Sequence, residues 1–414
     1  MFARRTDWNL QPNALSLAVE RAKAQGREII DLTASNPTDC GFDYESDRIR
    51  AAFSNSKALL YEPEPFGILS ARKAVAQYYA AKNIEVSPER ILLTTSTSEA
   101  YSYLFRLLCN PGDEVLAPRP SYPLFDLLAD VQDVTLKPYN LFYDHGWHLD
   151  LHSVEQQITE RTRAVMVVSP NNPTGSYLAR READALEELC ASRNLAIIAD
   201  EVFLDYPLES RSDETERDRH VSAGGSAEKL QSPVGTAQSW STRNRALTLT
   251  LSGLSKVAAL PQLKLAWCAA NGPEPLLDQA LKRLEIIADA YLSVNAPIQH
   301  ALPELLSTAP AVQRQIRSRC LENLGELKRQ IEVSRGCSLL RADAGWYAIL
   351  RIPRAESDES FAVKLLEEEG VLVHPGHFYN FIQEGYVVVS LLLASQRFVK
   401  GVSRLIRIGD GLLG

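Results

Sequence analysis

An α/β fold is predicted for this 414-residue chain: a mostly parallel central sheet with helices on both faces, and a smaller α+β domain beside it. Three observations predict it. Short runs rich in Val, Ile and Leu recur at 90–93, 114–117, 164–168, 195–199, 246–251 and 263–268, as strands buried on both faces do. Helical patterns lie between several of them, clearest at 181–193, where Ala183, Leu186, Leu189 and Cys190 repeat at helical spacing. Strand, helix, strand in that rhythm builds a parallel sheet. Past about residue 275 the texture changes to long amphipathic helices at 275–291 and 297–335, then a strand at 345–351 and a strand pair at 370–373 and 386–393.

A large domain at 45–290 and a small one formed by 1–44 with 291–414 follow from that change of texture. The stretch 207–244 is the polar exception. It carries Asp213, Glu214, Glu216 and Asp218 close to a Ser/Gly-rich run at 222–226, and reads as a long surface loop, partly disordered, inserted between two core strands.

Composition narrows the function. The chain is 45% apolar and 23% charged, with a formal charge of −8 and its Lys and Arg dispersed, so no phosphate-backbone footprint exists and nucleic acid is not an expected partner. Cysteines 40, 109, 190, 268, 320 and 337 form no CxxC pair and no cluster with His, which predicts reduced structural thiols and no metal cage. Residues 1–10 include Arg4, Arg5 and Asp7 without a continuous apolar core, unlike a secretory signal. No stretch approaches the roughly 18 apolar residues of a membrane helix. The expectation is a cytoplasmic protein with no membrane partner.

The chemistry should lie at the carboxyl ends of the parallel strands, where open α/β sheets bind ligands. The first end reads Thr94-Thr95-Ser96-Thr97-Ser98-Glu99-Ala100 and enters a helix at 99–109. Ser96 with Glu99 fits a capping box, and free amides at a helix N-terminus also suit a phosphate. The second, Ser169-Pro170-Asn171-Asn172-Pro173-Thr174-Gly175, is a Pro/Gly turn or part of a site. The third, Asp200-Glu201, puts carboxylates where burial demands a partner, unless the strand end is solvated. The fourth, Ser252-Gly253-Leu254-Ser255-Lys256, ends in a lysine. A lone lysine is most often a surface charge, but at the mouth of a sheet burial can lower its pKa and make it a nucleophile toward an aldehyde.

Taken in order and at these separations, Asn172-Pro173-Thr174-Gly175, Asp200-Glu201 and Ser255-Lys256 with Trp267 beyond resemble the class I/II aminotransferases, pyridoxal-phosphate enzymes of fold type I. Ala34-Ser35-Asn36-Pro37-Thr38, Tyr61 followed by Gly67, the Thr95–Thr97 turn and Pro120-Ser121-Tyr122-Pro123 agree with it, so the resemblance spans most of the chain. It implies the cofactor pyridoxal 5′-phosphate and amino transfer from an amino acid to a 2-oxo acid. Lys256 would form the internal aldimine and move the proton between Cα and the cofactor C4′. Asp200 would keep the pyridine nitrogen protonated, Asn172 would bond O3′ and face the substrate, and Tyr122 would stack on the ring. Thr95, Ser96, Thr97, Ser252 and Ser255 would hold the phosphate, with Tyr61 reaching it from a second subunit of a homodimer.

Departures from the pattern matter as much. Lys264 stands where the family has a phosphate-binding arginine, keeping the charge without the bidentate fork. Phe203 stands where a tyrosine bonds O3′ and cannot donate. Near the C-terminus, Ser390 takes the place of the arginine that grips the substrate carboxylate. Arg397 lies close by but reads as a surface residue, whereas Asn36, His374, His377 and Tyr379 could line the substrate mouth. Two other outcomes stay open: lyase or decarboxylase chemistry on an amino acid, and a non-catalytic binding descendant of the fold. A serine hydrolase lacks its GxSxG or SxxK, and a dehydrogenase lacks GxGxxG after any strand.

Overall fold

The computed structural model describes residues 1–208 and 239–412. The acidic residues at 213–218 and the Ser/Gly-rich run at 222–226 lie outside the described residues.

In chain order the strands are β1 (Ile30–Asp31), β2 (Ile91–Thr94), β3 (Glu114–Arg119), β4 (Thr135–Tyr143), β5 (Trp147–Leu149), β6 (Thr162–Val168), β7 (Ala196–Asp200), β8 (Thr248–Gly253), β9 (Ala266–Asn271), β10 (Ser338–Leu339), β11 (Tyr347–Arg351), β12 (Val371–Leu372), β13 (His374–Pro375) and β14 (Tyr386–Ser390). The large sheet has the order β2-β9-β8-β7-β6-β3-β4-β5. Parallel ladders join β8, β7, β6, β3 and β4, so the mostly parallel α/β sheet is present. Only β9, antiparallel between β2 and β8, and the short β5, folded back on β4, run the other way.

Alternation explains why these runs are strands. Val165, Val167, Ile197 and Ala199 face one core cluster, whereas Ala164, Met166, Ala196 and Ile198 face the other, as a period of two requires. Burying one such Val or Ile side chain contributes about 1.5–3 kcal/mol, which holds the register against a one-residue slip. The helix Arg180–Ser192 covers one face with Ala183, Leu186 and Cys190, and its Glu182 carboxylate accepts the Ala179 N–H at 2.9 Å.

Three expectations shift. The apolar run at 263–268 becomes a strand only from Ala266, because Pro261–Leu263 forms a 3-10 turn and Lys264 turns the backbone left-handed at φ +50°. Residues 370–373 and 386–393 do not pair with each other: β12 pairs in parallel with β1, and β14 lies between β11 and β13. The apolar Ile29–Leu32 stretch supplies the missing partner, with Ile30 N–H donating to the Gly370 carbonyl at 2.8 Å and Leu32 N–H to that of Leu372 at 2.9 Å. The β4–β5 hairpin escaped the sequence pattern because β4 is half exposed and contains Pro138, tolerated where β4 is the sheet edge.

The helix Ala296–Ile331 is 36 residues long. Its first half, through Ile298, Leu302 and Leu305, packs with Tyr79 and Trp267, and its second half, through Ile316, Cys320 and Leu324, packs with the core of the four-stranded antiparallel sheet β10-β11-β14-β13. One continuous helix, with Pro303 and Pro310 in its interior, therefore packs against both sheets.

Candidate active site

The carboxyl ends of β6, β7 and β8, adjacent in the sheet, bring Asn172, Asp200 and Lys256 to one edge. Asp200 is the last residue of β7 and is 6% exposed. Its carboxylate accepts the Val202 N–H at 3.1 Å and the Tyr101 hydroxyl at 3.1 Å. Burial pushes its pKa up to about 6, while those two donors and the charge of Lys256 pull it down. The balance leaves a mostly ionised carboxylate at neutral pH.

Lys256 follows β8 in the one-turn helix Leu254–Val257. Its Nζ lies 4.5 Å from the centre of the Trp346 ring and 5.4 Å from that of Phe203. These rings displace water, and burial lowers the amine pKa to about 8 against the opposing pull of Asp200. A lysine in this state keeps a fraction of neutral, nucleophilic amine at physiological pH. The Tyr206 hydroxyl donates to the Lys256 carbonyl at 2.5 Å, and Tyr206, Phe203 and Trp346 meet edge to face.

A glycine locks Trp346 in place. Gly175 ends the Asn172-Pro173-Thr174 turn at φ +67°, and its carbonyl accepts the Ala344 N–H at 2.8 Å. A Cβ at Gly175 would lie 2.3 Å from the Ala344 oxygen. The turn thus clamps the strand entry that carries Trp346.

Two buried polar atoms at this edge have no partner among the described residues: Oδ1 of Asn172 and Oγ of Ser252. Orphaned buried groups are rare, and a ligand rich in donors and acceptors accounts for them. Pyridoxal phosphate fits this set. Its protonated ring nitrogen suits Asp200, its phenolic oxygen suits the amide of Asn172, and its phosphate suits Ser252 with the free amides at the start of the Thr97–Leu108 helix.

Other predicted residues are placed as follows. Ser96 caps that helix, its Oγ accepting the Glu99 N–H at 3.1 Å, but Glu99 folds back on Thr95, not on Ser96. Glu99 accepts the Thr95 N–H at 2.7 Å and the Thr95 hydroxyl at 3.0 Å, so both Thr95 donors are engaged. Thr97 is the first helical residue and Ser255 is half-buried beside Lys256. Tyr122 is partly exposed, and its pKa is raised by burial and by Asp200. Phe203 is buried under Lys256. Lys264 is exposed, and Tyr61 is 81% exposed.

The substrate candidates separate. Asn36 spends its side chain in its own turn, accepting from Thr38 N–H at 3.2 Å and donating to Asp39 at 2.7 Å. Ser390 is fully buried at the end of β14, opposite Tyr347, with its Oγ accepting the Leu392 N–H at 3.2 Å. His377 is exposed against Phe378, while His374 meets the Tyr379 hydroxyl at 3.0 Å and burial lowers its pKa. Arg397 donates to the Ile29 carbonyl at 2.9 Å, away from the strand ends, as a surface residue.

Sequence reasoning missed Tyr101, Tyr206 and Trp346. Tyr101 had a signal, an aromatic one turn into a hydroxyl-capped helix. Trp346 had a weaker one, a tryptophan directly after Gly345. Glu201, taken with Asp200 as one acidic pair, faces elsewhere: it is 1% exposed and accepts the Ser239 hydroxyl at 2.7 Å and the Trp240 N–H at 2.6 Å. Burial raises its pKa to about 7.

Comparison with known proteins addresses the family and the fold. The family model for aminotransferase class I and II matches residues 27–392. Glutamate-pyruvate aminotransferase AlaA of Escherichia coli is 27% identical over 369 residues, covering 87% of this chain and 85% of that protein. Alanine aminotransferase of Mycobacterium tuberculosis is 26% identical over 398 residues, covering 93% and 86%. Among solved structures, an aminotransferase from Escherichia coli superposes with a TM-score of 0.84 at 24% identity, covering 99% of this chain and 98% of that one. Alanine aminotransferase from Pyrococcus furiosus does so with 0.83 at 19% identity, covering 99% and 100%.

Proposed function

Because the chain belongs to the class I and II aminotransferase family, we propose that Lys256 holds pyridoxal phosphate covalently and carries the proton in amino transfer between an amino acid and a 2-oxo acid. One observation carries this reading: a lysine whose amine burial lowers to about 8 shares one sheet edge with the buried carboxylate of Asp200.

Pyridoxal phosphate, when bound, supplies an electron sink that lets the bond from substrate Cα to hydrogen break. The residues do the rest. Neutral Lys256 Nζ accepts the Cα proton and returns it, with Trp346 and Phe203 excluding water that would compete for it. Asp200, held by Tyr101 and Val202, would keep the ring nitrogen of the bound cofactor charged. With the cofactor bound, Asn172 would orient the phenolic oxygen, Tyr122 would pack against the ring, and Ser96, Thr97, Ser252 and Ser255 would bind the phosphate, with Lys264 contributing charge. Thr95 orders this seat through Glu99, and of the substrate candidates His377 would border the substrate, whereas the side chains of Asn36 and Ser390 are engaged in their own turns.

The acting unit is a homodimer. Leu59, Leu60 and Tyr61 are 90%, 57% and 81% exposed. They flank a cavity of about 390 Å³ whose wall includes Tyr103 and Ser293. Ser293 donates to Glu99 at 2.9 Å, so this apolar strip borders the phosphate seat, and a second subunit covering it would bring Tyr61 to the phosphate. The large unit spans 45–290, the small one 1–44 with 291–414. The six unbridged cysteines support a reducing, cytoplasmic setting. No helix among the described residues is long and apolar enough to cross a membrane.

The test is a pair of half-reactions. Protein loaded with pyridoxal phosphate should convert it to pyridoxamine phosphate on addition of an amino acid, and a 2-oxo acid should reverse the change. Failure of every common amino acid to convert the cofactor would refute amino transfer.

A further inference from the structure

A cavity of about 410 Å³ opens between the end of β3 and the Gly376–Tyr379 turn, and its walls include Arg119, Ser121, Tyr122, Asp126, His377 and Asn380. Lys256, Asp200 and Asn172 are not among its walls. Phe125, another wall residue, meets Tyr101 edge to face with ring centres 5.2 Å apart, and Tyr101 donates to Asp200, which links the two places. The cavity therefore adjoins the reacting centre without containing it. The Ser121 N–H donates to the Tyr379 carbonyl at 2.9 Å, which ties the two walls together.

Two donors in these walls are unused. Nε of Arg119 and Oγ of Ser121 are buried and have no hydrogen-bond partner among the described residues. Nη2 of Arg119 donates to Asn140 Oδ1 at 2.9 Å, which fixes the plane of the guanidinium. Asp126, the carboxylate of the same wall, accepts from Asn380 Nδ2 at 3.2 Å, and no carboxylate pairs with Arg119 among the described residues. An oriented guanidinium with an idle N–H and no counter-charge is built to receive a planar anion. Because Lys256 does not line this cavity, a group received here belongs to a part of the substrate other than its amino-bearing carbon.

We propose that Arg119 is a specificity-determining residue that receives the side-chain carboxylate of a dicarboxylic amino acid, or of the matching 2-oxo diacid, with Ser121 as a second donor. The inference rests on the amino-transfer reading above and names its substrate class.

Calorimetric titration of the cofactor-loaded protein with glutarate and with butyrate separates the two ideas, since neither acid is an amino donor. Glutarate should bind the wild type at least about tenfold tighter, a difference of about 1.4 kcal/mol. Arg119→Gln should erase that difference, and Arg119→Lys, which keeps the charge without the fork, should restore part of it. In turnover, the ratio of kcat/KM for glutamate over alanine should fall at least about tenfold in Arg119→Gln, through KM. Melting curves establish that each variant is folded, and Arg119→Lys serves should Arg119→Gln fail to fold. Equal wild-type affinity for both acids, or an unchanged preference in a folded variant, would overturn the proposal. Loss of glutarate binding in Arg119→Gln, in a wild type that transaminates nothing, would keep Arg119 as the diacid site and remove the amino-transfer reading instead.

Discussion

Tyr101 donates its hydroxyl to Oδ2 of Asp200 at 3.1 Å, across the gap between the Thr97–Leu108 helix and the end of β7. A hydrogen bond to a buried carboxylate is worth about 1.5–3 kcal/mol and favours its ionised form. Tyr101→Phe should therefore raise the Asp200 pKa above about 6. Binding of pyridoxal phosphate by the apoprotein, followed against pH, should lose affinity on the acid side at a higher pH than in the wild type. The dissociation constant at pH 7 should rise by about tenfold. An unmoved acid limb would mean that Tyr101 does not govern Asp200.

Lys256→Ala should leave the fold intact and remove the covalent attachment. Borohydride treatment of the loaded wild type should leave a phosphopyridoxyl mass on the Lys256 peptide, and none in the variant. Turnover should fall by about a thousandfold or more, the loss of a general base together with a nucleophile. A labelled peptide elsewhere in the chain would reassign the site.

Trp346→Leu tests which of two opposed effects sets the Lys256 amine. The ring attracts the ammonium form by about 0.5–2 kcal/mol, but it also excludes water. Burial lowers the pKa from 10.5 to about 8, which at 1.36 kcal/mol per unit amounts to about 3 kcal/mol. Exclusion is the larger effect, so the smaller side chain should raise the lysine pKa. Its rate of reaction with an aldehyde, measured against pH in the apoprotein, should shift toward alkaline values. A shift toward acid would show that the attraction dominates.

Glu201→Gln addresses stability. The Glu201 pKa is raised from 4.5 to about 7, so the native state holds its proton more tightly than the unfolded chain. Its favourable contribution is complete below pH 4.5 and is lost as pH rises through about 7. Urea unfolding at pH 5 and pH 8 should show the wild type losing stability over that range relative to the variant, by about 3 kcal/mol at most. Parallel curves for the two proteins would place the titration elsewhere.

Much of the molecule was legible because the signals are local. The strands of the parallel core could be found from their Val, Ile and Leu runs, since burial on both faces demands apolar side chains at every position. That Asn172, Asp200 and Lys256 would share one edge was readable because parallel strands end in the same direction and gather their last residues there. Ser96 as a cap was readable for the same reason: its bond spans three residues.

What the sequence determined alone was the α/β core and the family, both written in short stretches of chain. Tertiary structure decided the rest. Pairing of β12 with β1, the contact of Tyr101 with Asp200, the Trp346 ring over Lys256, the separate duty of Glu201 and the idle Nε of Arg119 join residues far apart in the chain. Such contacts depend on how whole helices and sheets pack, and no local pattern of residues encodes which distant side chain will arrive.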